Sequence, residues 1–232
     1  MRKEIIGLCF EIQVCRDGQR GVDMNIYLMR HGETDWNRAR RLQGQSDIPL
    51  NEYGIKLAEK TAEGLEEVEF DAAFSSPLCR ARRTAEIVIG TRNIAMETDD
   101  RLKEINFGAG EGTYFDPAKQ DPAHPMHNFF CRPECFVPME GGESFDQVRK
   151  RVGEFLRERI FPLEGDYSNI LIAAHGALIR SVVNGLAGIP DREFWQLGLP
   201  NCAVSILSLK GGELTILEKS RIYYDAPVNA RP

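Results

Sequence analysis

Arg30-His31-Gly32-Glu33-Thr34 follows directly on the apolar run Ile26-Tyr27-Leu28-Met29, so a histidine and an arginine stand where a buried strand must turn into a loop. Open α/β sheets gather their ligands at such strand ends. A histidine between an arginine and a glycine has three uses there: it can ligate a metal, act as an acid or base, or attack a phosphoryl group that the arginine holds. Three more polar residues stand at or just beyond comparable positions: Arg80 behind Ser75-Ser76-Pro77, then Glu104, then His175 at the end of Ile170 to Ala174. Two arginines can grip phosphoryl oxygens in bidentate fashion and a second histidine can add a hydrogen bond, while one carboxyl moves protons and His31 is left as the nucleophile.

The elements that must position these residues are legible as an alternation of short apolar runs with helix-period segments, which predicts an α/β fold. We expect a three-layer sandwich, with a mostly parallel central sheet, helices on both faces and a lid insertion. Strands are predicted at Ile26–Met29, Ala72–Ser75, Ile94–Glu97 and Ile170–Ala174, and a hairpin joins Val204–Leu209 to Leu214–Glu218 through Lys210-Gly211-Gly212. Helices are predicted from Asn51, weakening at Gly64, from Pro77 in a first turn to about Ile89, from Glu143 or Ser144 onward, and over Ala177–Leu186. From Gly108 to Gly142 five prolines (Pro117, Pro122, Pro125, Pro133, Pro138) interrupt any period. The aromatic residues Tyr114, Phe115, Phe129, Phe130 and Phe136 in that stretch argue against disorder, so residues 113–141 read as a lid that covers something.

The chain has 232 residues, 42% hydrophobic and 28% charged, with a net charge of −6. That length suits one domain, predicted at 24–220 with a tail at 221–232, and the negative charge argues against nucleic acid or an anionic membrane as a general partner. Six scattered cysteines and the lack of an apolar run long enough to span a bilayer lead us to expect a cytoplasmic protein with reduced thiols. Residues 1–23 faintly imitate a signal peptide, but Glu4 and Glu11 bracket the apolar part and no small-residue cleavage site follows. We read them as a poorly ordered extension or as an upstream start that is not the natural one.

A longer set of residues now resembles a known family. Arg30-His31-Gly32-Glu33-Thr34, Trp36-Asn37, Gln43-Gly44, Asp47, Pro49-Leu50, Gly54, Ser75-Ser76-Pro77, Arg80-Ala81, Thr84-Ala85, Leu102, Glu104, Phe107-Gly108, Glu111-Gly112, Gly142-Glu143-Ser144 and His175-Gly176 occur in the order seen in the histidine phosphatase superfamily, also called phosphoglycerate mutase-like. The resemblance covers about residues 25–209. It implies that His31 is transiently phosphorylated, that Arg30, Arg80 and His175 bind the transferring group, and that Glu104 is the proton donor, with Glu111 the competing carboxylate. Asn37, Gln43, Gly44 and Gly176 are the further substrate contacts that it implies. Neither metal nor other cofactor is implied, and the partner is a small phosphorylated metabolite; a homodimer is left open.

Each residue also has a plainer use: a lone loop histidine is commonly solvated, Arg80 stands in a run of helix-surface arginines, His175 could be a satisfied core histidine, and Glu143 or Ser144 could simply cap a helix. His124, His127, Cys131 and Cys135 form a set that zinc would accept, but their spacing matches no usual finger, and we expect no metal there. Mutases of the family carry an arginine-rich insertion and an Asn-Ser pair after the late His-Gly. Here Ala177-Leu178 follow, and the lid has only Lys119 and Arg132 as cations. The comparison therefore favours the phosphatase branch, nearest to the α-ribazole and broad-specificity phosphatases. A mutase, or a phospholigand-binding domain without catalysis, is the alternative.

Overall fold

The computed structural model describes residues 23–225, so the readings of residues 1–22 and of the last seven residues of the tail lie outside it. In chain order the elements are β1 (Met24–Arg30), α1 (Asp35–Arg38), α2 (Glu52–Gly64), β2 (Ala72–Ser75), α3 (Cys79–Ile89), β3 (Met96–Thr98), α4 (Phe115–Gln120), α5 (His127–Cys131), α6 (Phe145–Phe155), β4 (Asn169–Ala174), α7 (Gly176–Ala187), β5 (Val204–Lys210) and β6 (Glu213–Arg221). The six strands form one sheet in the order β3-β2-β4-β1-β5-β6. The first four of these run parallel; β5 is antiparallel to both β1 and β6. Among the described residues no helix is long and apolar enough to cross a membrane.

Alternation along the strands assigns each face its helices. Ile26, Leu28, Ile170, Ile172 and Phe74 belong to one core cluster with Phe155 and Val152 of α6 and Leu178, Ile179 and Val182 of α7. Met29, Leu171, Ala173 and Ala73 belong to the other with Leu65, which follows α2, and Ala85, Val88 and Ile89 of α3. Helices thus cover both faces, as expected for this class. Full burial of a side chain such as Phe155, at 0% exposure, contributes roughly 1.5–3 kcal/mol.

Local chemistry explains where the predicted boundaries shift. Pro77, predicted inside a helix, instead precedes the cap residue Leu78, because the free N–H of Cys79 is capped by the Asp47 carboxylate at 2.7 Å from a loop 32 residues away. The third strand begins two residues late, since the N–H of Ile94 is taken by the Arg92 carbonyl in a tight turn. Ser144, not Glu143, caps α6, in a reciprocal box with Gln147. The predicted hairpin turns at Gly211-Gly212, both with positive φ (61° and 78°), which a two-residue turn of this hand requires.

The lid span is folded. Besides α4 and α5 it contains a 3₁₀ turn at Pro133–Cys135, and Phe129 of α5 is 1% exposed at the centre of an aromatic cluster. Ring centroids of Phe107, Phe130, Phe136 and Trp195 lie 4.8–5.1 Å from that of Phe129. The first residues of the predicted tail pack on the body: Tyr223 lies against Gly64, and the Tyr224 hydroxyl donates to the Asn201 carbonyl at 2.6 Å.

Candidate active site

β1 is hydrogen-bonded on both edges, to β4 and to β5, and this fixes where the chain leaves the sheet. One residue beyond it, the His31 N–H donates to the Ala174 carbonyl at 3.0 Å, and the N–H of Cys202 donates to the Arg30 carbonyl at 3.1 Å. The His31 ring is 3% exposed, with Nδ1 2.7 Å from the Gly32 carbonyl. A carbonyl can only accept, so Nδ1 carries the proton and Nε2 keeps its lone pair. Burial, and then the charges of Arg80 and Arg30, hold the imidazole well below its ordinary pKa, against a smaller opposing effect of the Gly32 carbonyl.

The turn itself is tied to α3 and α2. The Gly32 N–H donates to Thr84 Oγ1 at 2.9 Å, and that hydroxyl donates to the Arg80 carbonyl at 2.7 Å. A Cβ on Gly32 would stand 2.6 Å from the Gly54 carbonyl oxygen, and one on Gly54 would stand 2.1 Å from that of Glu33, so both positions exclude any side chain.

Arg80 is completely buried. Its two terminal nitrogens donate to the carbonyls of Ser46 (2.7 Å) and Gly44 (2.6 Å), and its Nε has no partner. Arg30 donates from Nη1 to the Leu199 carbonyl at 2.5 Å and likewise leaves a buried Nε unpaired. His175, 0% exposed, has both ring nitrogens unpaired. Its ring centroid is 5.1 Å from that of His31, and burial, then Arg80 and His31, push its pKa well down. An unsatisfied buried donor costs about 1–3 kcal/mol, so a group of them around one imidazole suits a polar group with several acceptor oxygens.

Glu104 is fixed through both side-chain oxygens. Oε1 accepts from the N–H groups of Ile105 and Leu178, and Oε2 from that of Ala177, all at 3.0 Å. Its own carbonyl accepts from Arg151 Nη2 (3.0 Å) and Gln45 Nε2 (3.2 Å). Arg151 is in turn paired with Glu143 at 2.8 Å and bonded to the carbonyls of Arg101 and Lys103. Glu111, the competing carboxylate, serves a different loop: it accepts from the N–H groups of Gln45 (2.7 Å) and Ser46 (2.8 Å) and from the Ser46 hydroxyl. That loop supplies the carbonyls that hold Arg80. Gly44 sits there at φ 52°, and a Cβ on it would come within 2.2 Å of Glu111 Oε1.

Asn37 closes the cap of α1, its Oδ1 accepting from the Thr34 N–H at 3.2 Å, and Gln43 Oε1 accepts from the Thr34 hydroxyl at 2.9 Å. With both oxygens engaged, the NH₂ end of each is left to donate. Gly176 opens α7, where an added Cβ would lie 3.5 Å from Arg30 Nε and 3.3 Å from Arg180 Nη1. The structure therefore brings Arg30, His31, Arg80, Glu104 and His175 together, with Asn37, Gln43, Gly44 and Gly176 in the surrounding turns.

Sequence reasoning gave no bracing role to four supporting residues. Asn201 Nδ2 donates to the carbonyls of His31 (3.0 Å) and Gly32 (3.1 Å). Glu143 and Arg151 brace Glu104, and Arg180 is a third buried arginine that burial, then the charge of Arg30, lowers to about 9. Arg180 had a usable signal, as a charge on the apolar face of a predicted helix, and Glu143 stood in the matched Gly142-Glu143-Ser144, where only a capping use was read. The lid histidines and cysteines make local bonds instead: His124 Nδ1 accepts from the Met126 N–H, His127 Nδ1 lies 3.1 Å from the Ala118 carbonyl, and the Cys131 thiol lies 3.7 Å from that of Lys119. Among the described residues no three metal-ligating side chains stand together. The apolar recess lined by Val152, Leu156, Val182 and Leu214 shares no residue with the site.

The family model described as histidine phosphatase superfamily (branch 1) matches residues 26–221. The chain belongs to this family. A Yersinia pestis protein named "Probable phosphoglycerate mutase GpmB" is 33% identical over 187 residues, covering 78% of this chain and 83% of that protein. The α-ribazole phosphatase of Shigella flexneri superposes with a TM-score of 0.74 at 26% identity, over 85% of this chain and 96% of the other. A phosphoserine phosphatase of Entamoeba histolytica, in complex with 3-phosphoglyceric acid, does so with a TM-score of 0.74 at 26% identity, over 85% and 97%. This member of the histidine phosphatase superfamily thus resembles both phosphatases and a protein named as a probable mutase.

Proposed function

We propose that the protein is a metal-independent phosphatase that hydrolyses a small phosphomonoester through a phosphohistidine on His31. The observation that carries this reading is the unpaired, buried set of Arg30 Nε, Arg80 Nε and the His175 nitrogens beside an imidazole whose Nδ1 is anchored on Gly32. Those donors suit the equatorial oxygens of a transferring phosphoryl group. His31 Nε2 attacks phosphorus and the P–O bond to the leaving group breaks. The departing oxygen takes a proton from Glu104, and in the second half a water attacks the phosphohistidine, returns a proton to Glu104 and releases inorganic phosphate.

A carboxyl offers about four lone-pair sites. Oε1 of Glu104 uses two on amides and Oε2 uses one, so the transferable proton belongs on Oε2. Hydrolysis rather than transfer is favoured because the lid has only Lys119 and Arg132 to hold a second phosphate, and because the side chains of Ala177 and Leu178 offer no polar group where the family's mutases carry an Asn-Ser pair. The aromatic lid suits a substrate with an apolar part. The mutase reading is kept by the name of the Yersinia relative.

The test is hydrolysis of an aryl phosphate by the purified protein. Activity is expected to survive EDTA and to fall at least a thousandfold in His31→Ala, with acid-labile phosphate on the wild-type chain alone after quenching. Equal turnover by the variant overturns the mechanism. Interconversion of phosphoglycerates stimulated by bisphosphoglycerate, in the absence of hydrolysis, establishes the mutase instead.

A further inference from the structure

Arg30 has one bond that orients its guanidinium from outside the turn, to the carbonyl of Leu199. Leu199 lies in a segment whose alternate residues are each fixed to a different element. At one end Trp195 Nε1 donates to the carbonyl of Phe129, in lid helix α5, at 2.7 Å. Next, the Leu197 carbonyl accepts from Arg180 Nε of α7 at 3.0 Å, and the Arg180 guanidinium stacks 5.1 Å from the Trp195 ring. After Leu199, Asn201 reaches the backbone carbonyls of His31 and Gly32 and also Asn37 Oδ1. The segment ends at Cys202, held at φ 58° with its N–H on the Arg30 carbonyl, a conformation unfavourable for a residue with a Cβ.

We propose that residues 195–201 are a strap that sets the Arg30 guanidinium for the phosphoryl group, with Trp195 and Arg180 as positioning residues, so that the clamp responds to how the lid is seated. This rests on the reading of Arg30 as part of that clamp. The strap fixes Nη1 and leaves Nε free, which determines the edge that the guanidinium turns to a ligand. Among the described residues no carboxylate stands within ion-pair reach of Arg180, whose hydrogen bonds go to the Leu197 and Gly176 carbonyls. It is spent on holding backbone.

Inorganic phosphate separates this role from simple lining of the pocket, since it has no organic part to touch the lid. Phosphate affinity is read by calorimetry and by competitive inhibition of aryl phosphate hydrolysis. Trp195→Phe removes the N–H together with the pyrrole half of the indole and leaves one aromatic ring against Phe129 and Phe194; it is expected to weaken phosphate three- to tenfold and to lower kcat, the scale of one net hydrogen bond. Arg180→Met is expected to do the same, and Arg180→Lys to recover part of the loss. The double variant should bind no more weakly than the worse single one, because either break frees the same strap. Phosphate affinity unchanged in both single variants, with only the KM of the aryl substrate raised, overturns the proposal, as do fully additive losses. If Trp195→Phe does not fold, the two Arg180 variants decide the question by themselves. Unchanged phosphate affinity in Arg30→Ala sinks the clamp reading, and the strap with it.

Discussion

A histidine attacks phosphorus only through an unprotonated ring nitrogen, so its charge state in the resting site governs the acid limb of the rate profile. For His31 burial and two neighbouring guanidinium groups disfavour the protonated ring. As pH falls through 6.5, where a free imidazole gains its proton, His31 stays neutral and competent. The acid limb of kcat/KM for an aryl phosphate is therefore expected below pH 6, set in part by the second ionisation of the substrate. A limb centred at 6.5 that moves with Arg80→Lys would contradict this. At this scale the sequence was most legible: Arg30, His31, Arg80, Glu104 and His175 all carry side chains whose types suggest chemistry, and ordered motifs single them out. The bracing roles of Glu143, Arg151 and Asn201 were not legible, since each acts through backbone carbonyls or amides that lie distant in the chain. No pattern of side-chain types encodes a carbonyl partner.

At the level of elements, two short loops present the clamp, and each has its own brace. Residues 43–46 hold Arg80 and are held by Glu111; residues 104–106 present Glu104 and are held by Arg151 and Glu143. Glu111→Ala removes the acceptor of three donors, an expected loss of about 2–3 kcal/mol in unfolding free energy. Phosphate affinity and kcat/KM should fall together, roughly tenfold, with the shape of the pH profile kept. Glu104→Gln should instead lower kcat by about a hundredfold or more at little change in phosphate affinity. The reverse pattern would restore Glu111 as the acid. Strands and long helices were readable from periodicity to within three residues, whereas the lid helices were not: α4 and α5 have only six and five residues, too short for a period; α5 is held by aromatic packing of Phe129 on Phe107, Phe145 and Trp195, and α4 by Phe115 on Phe130.

For the whole molecule, the buried neutral histidines link stability to pH. His31 and His175 have folded pKa values below that of a free imidazole, so below pH 6.5 the unfolded chain binds protons that the folded one refuses. Their contribution is fully present above 6.5 and is lost as pH falls toward the folded values. Tm is expected to drop between pH 7.5 and 5, and to drop less in His175→Gln, which has no ring to protonate; identical slopes in both proteins would remove these residues from the account. The same burial reconciles an overall charge of −6 with an anionic ligand. Surface charge is screened within about 8 Å at physiological salt, while Arg30 and Arg80 stand beside the proposed phosphoryl position in a poorly screened interior.

The central place of β1 also determines when the site can exist. Its edges are closed by β4 at residues 169–174 and by β5 at 204–210, and the carbonyls of Arg30 and His31 are met by Cys202 and Asn201. Both strands that flank β1 are translated well over a hundred residues after it. A nascent polypeptide emerging from the ribosome thus leaves β1 unpaired until both have emerged, and the geometry around His31 is completed only when these long-range contacts close the sheet.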